Sequence, residues 1–354
     1  MTLGFVVPGR LDQITGGYLY DRRVVEALRA QGRVITVHEL PGRFPDADAA
    51  ARKAAATLLG GLPDGARLCI DGLALPGFDA ALPAEARRLA VIVLVHHALA
   101  LETGISTDEA ARYAALEAHL LPLCRGVICP SPASAAAMRG YGVAAERIAV
   151  VPPGLDRLEI LPIPRGDGPV RLLSVGTVTP RKGHVLLVEA LADLTDLPWR
   201  LTIIGSLARD PATARQLRDT IAREGLADRI TLAGEYPPGT LGPAYAAADL
   251  FVLPSFYEGY GMVFAEAMAH GLPILATTGG AIPQTVPGSA GILVPPGDRT
   301  ALATALARLI GDGALRRTLG AGAAATAAAL PDWPATACAF GAALDQLAAL
   351  QAVS

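Results

Sequence analysis

The run Pro254-Ser255-Phe256-Tyr257-Glu258-Gly259-Tyr260-Gly261-Met262-Val263-Phe264-Ala265-Glu266-Ala267-Met268-Ala269-His270-Gly271-Leu272-Pro273 decides how this chain folds. It leaves an apolar stretch, Leu250 to Leu253, that reads as a buried strand. It then crosses a glycine-bearing turn and becomes a helix from about Gly261 to Ala269, closed by Gly271. A turn with Gly259 and Gly261 at a helix start aims several backbone N–H groups at one point. With the helix dipole this makes an anion site suited to a diphosphate. Glu258 and Glu266 lie eight positions apart, at most about 12 Å along a helix. One is expected beside a sugar and the other near a ribose, whose hydroxyls suit a carboxylate. Two solvated glutamates on a surface helix are the plain alternative. It fits Glu266 poorly, because Phe264, Ala265, Ala267 and Met268 surround it and a carboxylate there needs a partner.

Outward from this run the same alternation repeats. Downstream strands are expected at Pro273 to Ala276 and Gly291 to Val294, upstream ones at Arg171 to Val175, Arg200 to Ile204 and Arg229 to Leu232. Helices are expected at His184 to Leu194, Ala212 to Glu224, Leu241 to Ala247 and Ala301 to Leu309, and the alanine-rich stretch 321–329 also reads as helix. The first half has the same rhythm. Strands fall at Leu3 to Val7, Val34 to Leu40, Arg67 to Ile70, Leu89 to Val95, Gly126 to Cys129 and Arg147 to Val151, and helices at Gly17 to about Ala30 and Thr107 to Leu121. Strand–helix alternation predicts an α/β fold with parallel sheets covered on both faces.

Between the halves, Val151-Pro152-Pro153-Gly154 through Pro162, Pro164, Gly166, Gly168 and Pro169 concentrates proline and glycine without periodicity, which marks a boundary. The expected organisation is a first Rossmann-like domain over 1–155, a second over 166–330, and a last helix over 331–354. Ligands of such sheets bind at the carboxyl ends of the strands.

Glu258-x7-Glu266 with Gly-Tyr-Gly between resembles the E-x7-E signature of retaining family 4 glycosyltransferases of the GT-B fold, in the manner of sucrose synthases and mannosyltransferases. Leu172 to Gly183 resembles the strand and loop that bring basic residues to the donor phosphates in that family. Gly279-Gly280-Ala281-Ile282-Pro283 resembles the second phosphate-facing loop, and Gly291 to Asp298 a late strand and turn. The resemblance is specific across about 170–310 and weaker before it. It implies two Rossmann-like domains whose parallel sheets face a central cleft, with the last helix returning to the first domain, where it couples closure to donor binding.

By the same resemblance, Lys182, Arg181, Glu258 and His97 are the expected catalytic residues. Gly16, Gly17, Thr177, Glu235, Tyr236, Gly259, Tyr260, Gly261, Met262, Glu266 and Gly280 are the expected donor-binding residues. Composition supports Lys182 independently, since only two of the 30 basic residues are lysine, Lys53 and Lys182. A lysine before a glycine in so arginine-biased a chain suggests that a compact ammonium is wanted there. Where the family often has arginine this chain has Thr177, and Arg181 is the candidate for that role. His97-Ala98-Leu99 is similar to the His-Ala-Leu whose histidine contacts the donor sugar. With the strand pleat continued, His96 points the other way. Glu235 and Tyr236 are expected near the nucleotide base.

Bulk properties narrow the class further. The chain has 354 residues and net charge −3, with 15 basic and 15 acidic residues in 1–155, so neither nucleic-acid binding nor adhesion to an anionic membrane is expected. No segment has the roughly 20 apolar residues that span a bilayer, although contact with a membrane surface stays open. No leader is recognisable, so a cytoplasmic protein is expected. Cys69, Cys124, Cys129 and Cys338 form no CxxC pair and read as reduced, packed thiols. Asp46-Ala-Asp48 resembles a metal-binding DxD but opens an alanine-rich helix, where capping accounts for it. No metal or other cofactor is expected, and no phosphate or dinucleotide glycine fingerprint is present.

The expected activity is transfer of a hexosyl group from a UDP- or GDP-sugar to an acceptor, with retention. A nucleotide-sugar epimerase, a sugar phosphorylase and a non-catalytic nucleotide-sugar-binding partner subunit are the rivals, and an NAD-dependent dehydrogenase ranks last. Acceptor and oligomeric state are open.

Overall fold

The structure is a computed structural model that describes residues 2–156, 168–237 and 239–352. The chain divides into two compact units, Met1–Gly154 with Pro331–Ser354, and Leu155–Leu330. Of the proline- and glycine-rich boundary, residues 157–167, including Pro162, Pro164 and Gly166, lie outside the described residues.

The first unit runs β1 (Leu3–Pro8), α1 (Gly16–Ala30), β2 (Ile35–Leu40), α2 (Ala49–Gly60), β3 (Arg67–Asp71), α3 (Leu82–Glu85), β4 (Ala90–Leu94), α4 (Thr107–Leu120), β5 (Gly126–Cys129), α5 (Pro132–Gly140) and β6 (Ile148–Val150). Its strands form one parallel sheet in the order β2-β1-β3-β4-β5-β6, with Phe5 beside Cys69, Cys69 beside Ile92 and Ile92 beside Gly126. Every residue of β1, β4 and β5 is buried. That is why these strands read as unbroken apolar runs: helices cover both faces of the sheet. Leu68, Ile70, Val91, Val93, Phe78 and Leu120 belong to its core.

The second unit runs β7 (Val170–Val175), α6 (His184–Ala192), β8 (Trp199–Ile204), α7 (Pro211–Arg223), β9 (Ile230–Gly234), α8 (Gly242–Ala247), β10 (Leu250–Leu253), α9 (Met262–Ala269), β11 (Ile274–Thr277), α10 (Ile282–Thr285), β12 (Gly291–Val294), α11 (Arg299–Gly311) and α12 (Gly313–Ala329). The sheet is again parallel, ordered β12-β11-β10-β7-β8-β9. The order reverses between β7 and β10, and in the first unit between β1 and β3. These are the switch points where the loops after adjacent strands part to opposite faces and leave a crevice.

The last helix, α13 (Trp333–Ala348), belongs to the first unit and packs on α1, β4 and β5. Its N-terminus is capped by Asp332, which accepts from Ala335 N. Arg125 donates to Leu350 O at 2.6 Å and Arg147 to Gln351 O at 2.9 Å, which ties down the chain beyond it.

Asp48 caps α2 by accepting from Ala51 N at 2.9 Å, while Asp46 takes Arg112 and Tyr113, so each carboxylate of the DxD-like pair has a structural partner. Cys69, Cys124 and Cys129 are buried, whereas Cys338 is exposed and accepts from Gln31 Nε2 at the end of α1, a difference from the expectation of packed thiols. Among the described residues no helix is long and apolar enough to cross a membrane.

Candidate functional site

The second unit gathers its candidate residues at its switch point. The loop after β7 carries Thr177, Arg181 and Lys182, and the loop after β10 carries Ser255 to Gly261. Lys182 Nζ lies 2.6 Å from Glu258 Oε1, and Arg181 Nη1 lies 3.1 Å from Glu258 Oε2 and 2.9 Å from the Tyr257 carbonyl. Ser255 Oγ donates to Glu258 Oε1 at 2.7 Å, and Phe256 N donates to the Arg181 carbonyl at 2.7 Å, which joins the two loops through backbone as well. Burial alone would push the Glu258 carboxyl up. The charges of Lys182 and Arg181, with hydrogen bonds from Lys182 and Ser255, outweigh it and hold the group down at about 2.

Several glycines make this packing possible. Gly183 has φ +70°, and a Cβ there would sit 2.3 Å from Pro254 O. At Gly280, φ is +61° and a Cβ would sit 2.3 Å from Glu258 O. The Gly279-Gly280-Ala281 turn therefore lies directly on the Glu258 backbone, and Ala281 N donates to Glu258 O at 2.8 Å. Gly261, at φ +85°, forms the N-cap of α9 with no side-chain cap, so the first amides of that helix carry the partial positive charge of an unsealed N-terminus. The Lys182 stem packs over Gly176.

Glu258 sits in the loop ahead of α9, so the two glutamates do not share a helix as their spacing allowed. The reason is the left-handed turn at Gly261, which starts the helix only at Met262. Glu258 is buried, and its carboxylate meets two cations and a hydroxyl in this structure. Glu266, half-buried on α9, accepts from Tyr245 Oη at 2.7 Å, and Tyr245 stacks on His270 with centroids 5.2 Å apart. The partner expected for Glu266 thus includes a buried tyrosine from α8. Gly259 is buried, and Tyr260 and Met262 are half-buried. Burial pushes the Tyr260 phenol up to about 12, and its carbonyl accepts from Thr285 Oγ1. Glu235 and Tyr236, just past β9, are exposed.

In the first unit, Gly16 and Gly17 form the first turn of α1 rather than preceding it, and the N-cap Thr15 makes no side-chain cap. A Cβ on Gly16 would meet nothing within 4 Å, whereas one on Gly17 would meet His96 Cδ2 at 3.1 Å. His97, just past β4, is half-buried, with Nε2 3.2 Å from Glu102 Oε2. The 3-10 turn that follows it is held by Glu117 of α4, which accepts from Leu99 N at 2.8 Å. Burial pushes the Glu117 carboxyl up to about 7 despite this bond.

Sequence reasoning missed three residues here. His96 Nε2 lies 3.0 Å from Asp21 Oδ1, and Asp71, at the end of β3, completes a group whose ligand-type atoms all lie within 4.8 Å of one another. A signal existed. Asp21 shares a helix face with Val24, Val25 and Leu28, at spacings of three, four and seven, where a carboxylate needs a buried partner.

Two family models match consecutive parts of the chain: "Glycosyltransferase Family 4" over residues 72–157 and "Glycosyl transferases group 1" over residues 169–312. The chain carries a family 4 glycosyltransferase domain followed by a glycosyl transferases group 1 domain. The chain is similar to a D-inositol 3-phosphate glycosyltransferase from Nocardia farcinica, 34% identical over 216 residues, or 56% of this chain and 47% of that protein. It is 31% identical over 243 residues to one from Pseudarthrobacter chlorophenolicus, covering 64% of this chain and 57% of that protein. It therefore spans about half the length of the curated relatives it matches. Among solved structures, the sucrose-phosphate synthase of Thermosynechococcus elongatus superposes with TM-score 0.83 at 24% identity over 98% of each chain. Anabaena HepE, solved with UDP and glucose, superposes with TM-score 0.75 at 20% identity over 98% of this chain and 99% of that one. The chain thus has the GT-B fold, and each of its two parallel sheets fits that assignment.

Proposed function

We propose that the protein transfers a hexosyl group from a nucleotide diphosphate sugar to an acceptor, with retention at the anomeric carbon and without a metal. The observation that carries this reading is the pairing of Lys182 and Arg181 with the buried Glu258, beside the unsealed N-terminus of α9. Departure of the nucleotide places negative charge on the β-phosphate. An ammonium, a guanidinium and backbone amides held ready for it stabilise that charge without reorganising. Glu258 has two roles in this reading: it fixes both cations by its own permanent charge, and its loop faces the transferring sugar. Glu266 takes the ribose hydroxyls, Glu235 and Tyr236 the base, and His97 with the Gly16–Gly17 turn the sugar side. Retention fits front-face attack through a short-lived oxocarbenium-like species, so no enzyme nucleophile is required. HepE has been solved in complex with UDP-glucose, which makes UDP the first nucleotide to try. The curated relatives' name makes an inositol phosphate the first acceptor to try.

The test is a calorimetric titration of the full chain with UDP, GDP, ADP and NAD, each with and without EDTA. Tight, EDTA-insensitive binding of one diphosphate, lost in Glu266→Ala, supports the reading and names the donor class. Binding of NAD with failure of all three diphosphates overturns it. Isomerised donor in the absence of acceptor would instead identify an epimerase.

A further inference from the structure

Asp21, Asp71 and His96 lie at the carboxyl end of the first sheet, at its switch point. Asp21 comes from the first turns of α1, Asp71 from the last position of β3, and His96 from just beyond β4. Asp21 is 0% and Asp71 2% exposed, so two carboxyl groups share a space without water. One oxygen of Asp71 accepts from Leu73 N at 2.8 Å. Asp21 Oδ1 faces His96 Nε2 at 3.0 Å, while the buried Asp21 Oδ2 has no hydrogen-bond partner when both groups are drawn as carboxylates. Two charges this close in a dry site cannot both persist; one shared proton removes the repulsion and gives Asp21 Oδ2 a donor.

Among the described residues, His96 is the one basic group that faces the pair. Cys69 on β3 has its thiol driven up by burial and by both carboxylates. Tyr20 on α1 meets the His96 ring edge-on, centroids 5.5 Å apart, and gives its hydroxyl to Val151 O at 2.7 Å. The neighbouring His97 is turned to Glu102. The His96 ring is therefore held by Asp21 at Nε2, by the edge contact with Tyr20 and by Gly17, where a Cβ would crowd Cδ2 at 3.1 Å.

We propose that Asp71 and Asp21 share one buried proton and so lock His96 as its Nε2–H tautomer, presenting Nδ1, on the ring edge away from Gly17, as a hydrogen-bond acceptor to a ligand hydroxyl. The proton resides on Asp71, which donates to the Asp21 carboxylate, and Asp21 in turn accepts from His96. His96 is a ligand-contacting residue in this scheme, and the two aspartates are positioning residues. Burial, then the charge of Asp21, pushes the Asp71 carboxyl up, and burial pushes Asp21 up, in agreement with that placement. The ligand's being a sugar or polyol rests on the function proposed above; the proton and the tautomer do not.

The scheme makes the two aspartates unequal, and that inequality is the test. Asn at 71 reproduces a neutral group that donates to Asp21, whereas Asn at 21 deprives His96 of its acceptor. Nitrogen-15 spectra of histidine in the full chain at pH 7.5 are expected to show His96 as the Nε2–H form in the wild type and in Asp71→Asn, and a mixed or inverted form in Asp21→Asn. Wild-type stability is expected to fall as pH rises from 5 to 8.5, and the part of this fall due to the pair to vanish in Asp71→Asn. With an active donor–acceptor pair, Asp71→Asn should keep kcat/KM within about threefold, and Asp21→Asn and His96→Ala should lose tenfold or more. Equal damage from both asparagine variants, or an Nδ1–H tautomer in the wild type, overturns the proposal. So does a rise in Tm with Mn²⁺ or Zn²⁺ that either asparagine variant abolishes, which would make the cluster a metal site. A wild type that transfers no sugar defeats the function reading alone, because the spectra and the stability profile still decide the proton's place.

Discussion

Lys182 Nζ and Glu258 Oε1 lie 2.6 Å apart, with both side chains nearly sealed from solvent. This contact sets the electrostatics of the second unit's loops. Removing Lys182 with alanine leaves a buried carboxylate facing Arg181 and Ser255 alone. Breaking a buried pair costs roughly 3–5 kcal/mol when no second cation remains. With Arg181 still in place, a loss below that range is expected in urea unfolding, with the fold intact. Turnover should nevertheless fall by orders of magnitude, and near-normal turnover would sink the role given to Lys182.

The depressed Glu258 carboxyl makes a second, independent test through pH. Its folded value of about 2 lies below the ordinary 4.5, so its stabilising contribution is complete above about 4.5 and disappears as pH falls toward 2. The stability difference between wild type and Glu258→Gln should therefore shrink progressively from pH 5 downward. A difference that stays constant across that window would show that the charge of Glu258 contributes nothing to folding.

Glu117 behaves in the opposite sense. Its carboxyl is raised to about 7, so the stability tied to its protonated form is present below about 4.5 and lost as pH rises through 7. Glu117→Gln keeps an acceptor for Leu99 N and cannot ionise. It is expected to match the wild type near pH 5 and to exceed it at pH 8.5 by denaturant unfolding. Lower stability at both values would mean that the ionised form is the one the loop requires.

Gly16 and Gly280 differ in what surrounds them, open space at one and the Glu258 backbone at the other. Nothing lies near a Cβ at 16, and Gly16 is helical, so Gly16→Ala should raise stability by up to about 1 kcal/mol. The same change should weaken donor binding tenfold or more if a ligand approaches that turn. Gly280→Ala instead forces a Cβ onto Glu258 O at a left-handed φ and should cost about 2–4 kcal/mol. Paired melting curves and UDP titrations of the two variants check this. Unchanged nucleotide affinity in Gly16→Ala would remove that residue from the site.

Much of this was legible in the sequence because burial writes itself directly into parallel strands. All twelve strands among the described residues have counterparts among those expected, usually within one residue, and β1, β4, β5 and β10, buried throughout, stand out as unbroken apolar runs. The glycine-bearing turn before α9 and the pairing of Lys182 with a glycine were equally visible. What stayed hidden depends on contacts between distant segments. The attachment of Lys182 and Arg181 to Glu258 spans 76 and 77 positions, and that of His96 to Asp21 spans 75. The pleat argument that turned His96 away assumed that β4 continued to Val95, but the strand ends at Leu94. Beyond that point alternation no longer governs direction. The short turns after β3, and α5 with its proline start, escaped notice because local capping builds them and they carry no long periodic pattern.

The placement of α13 bears on how the chain comes to be folded at all. Residues 331–348 complete the first unit, on which α1, β4 and β5 depend for cover, while the second unit is continuous from 155 to 330. A ribosome delivers the N-terminal segment first, yet that segment waits with the α1 surface around Tyr20 bare until Trp333 and Phe340 emerge to close it. The second unit has no such debt and can reach its native packing during synthesis. The cover of the first residues made is thus encoded among the last, with the whole of the second unit between them.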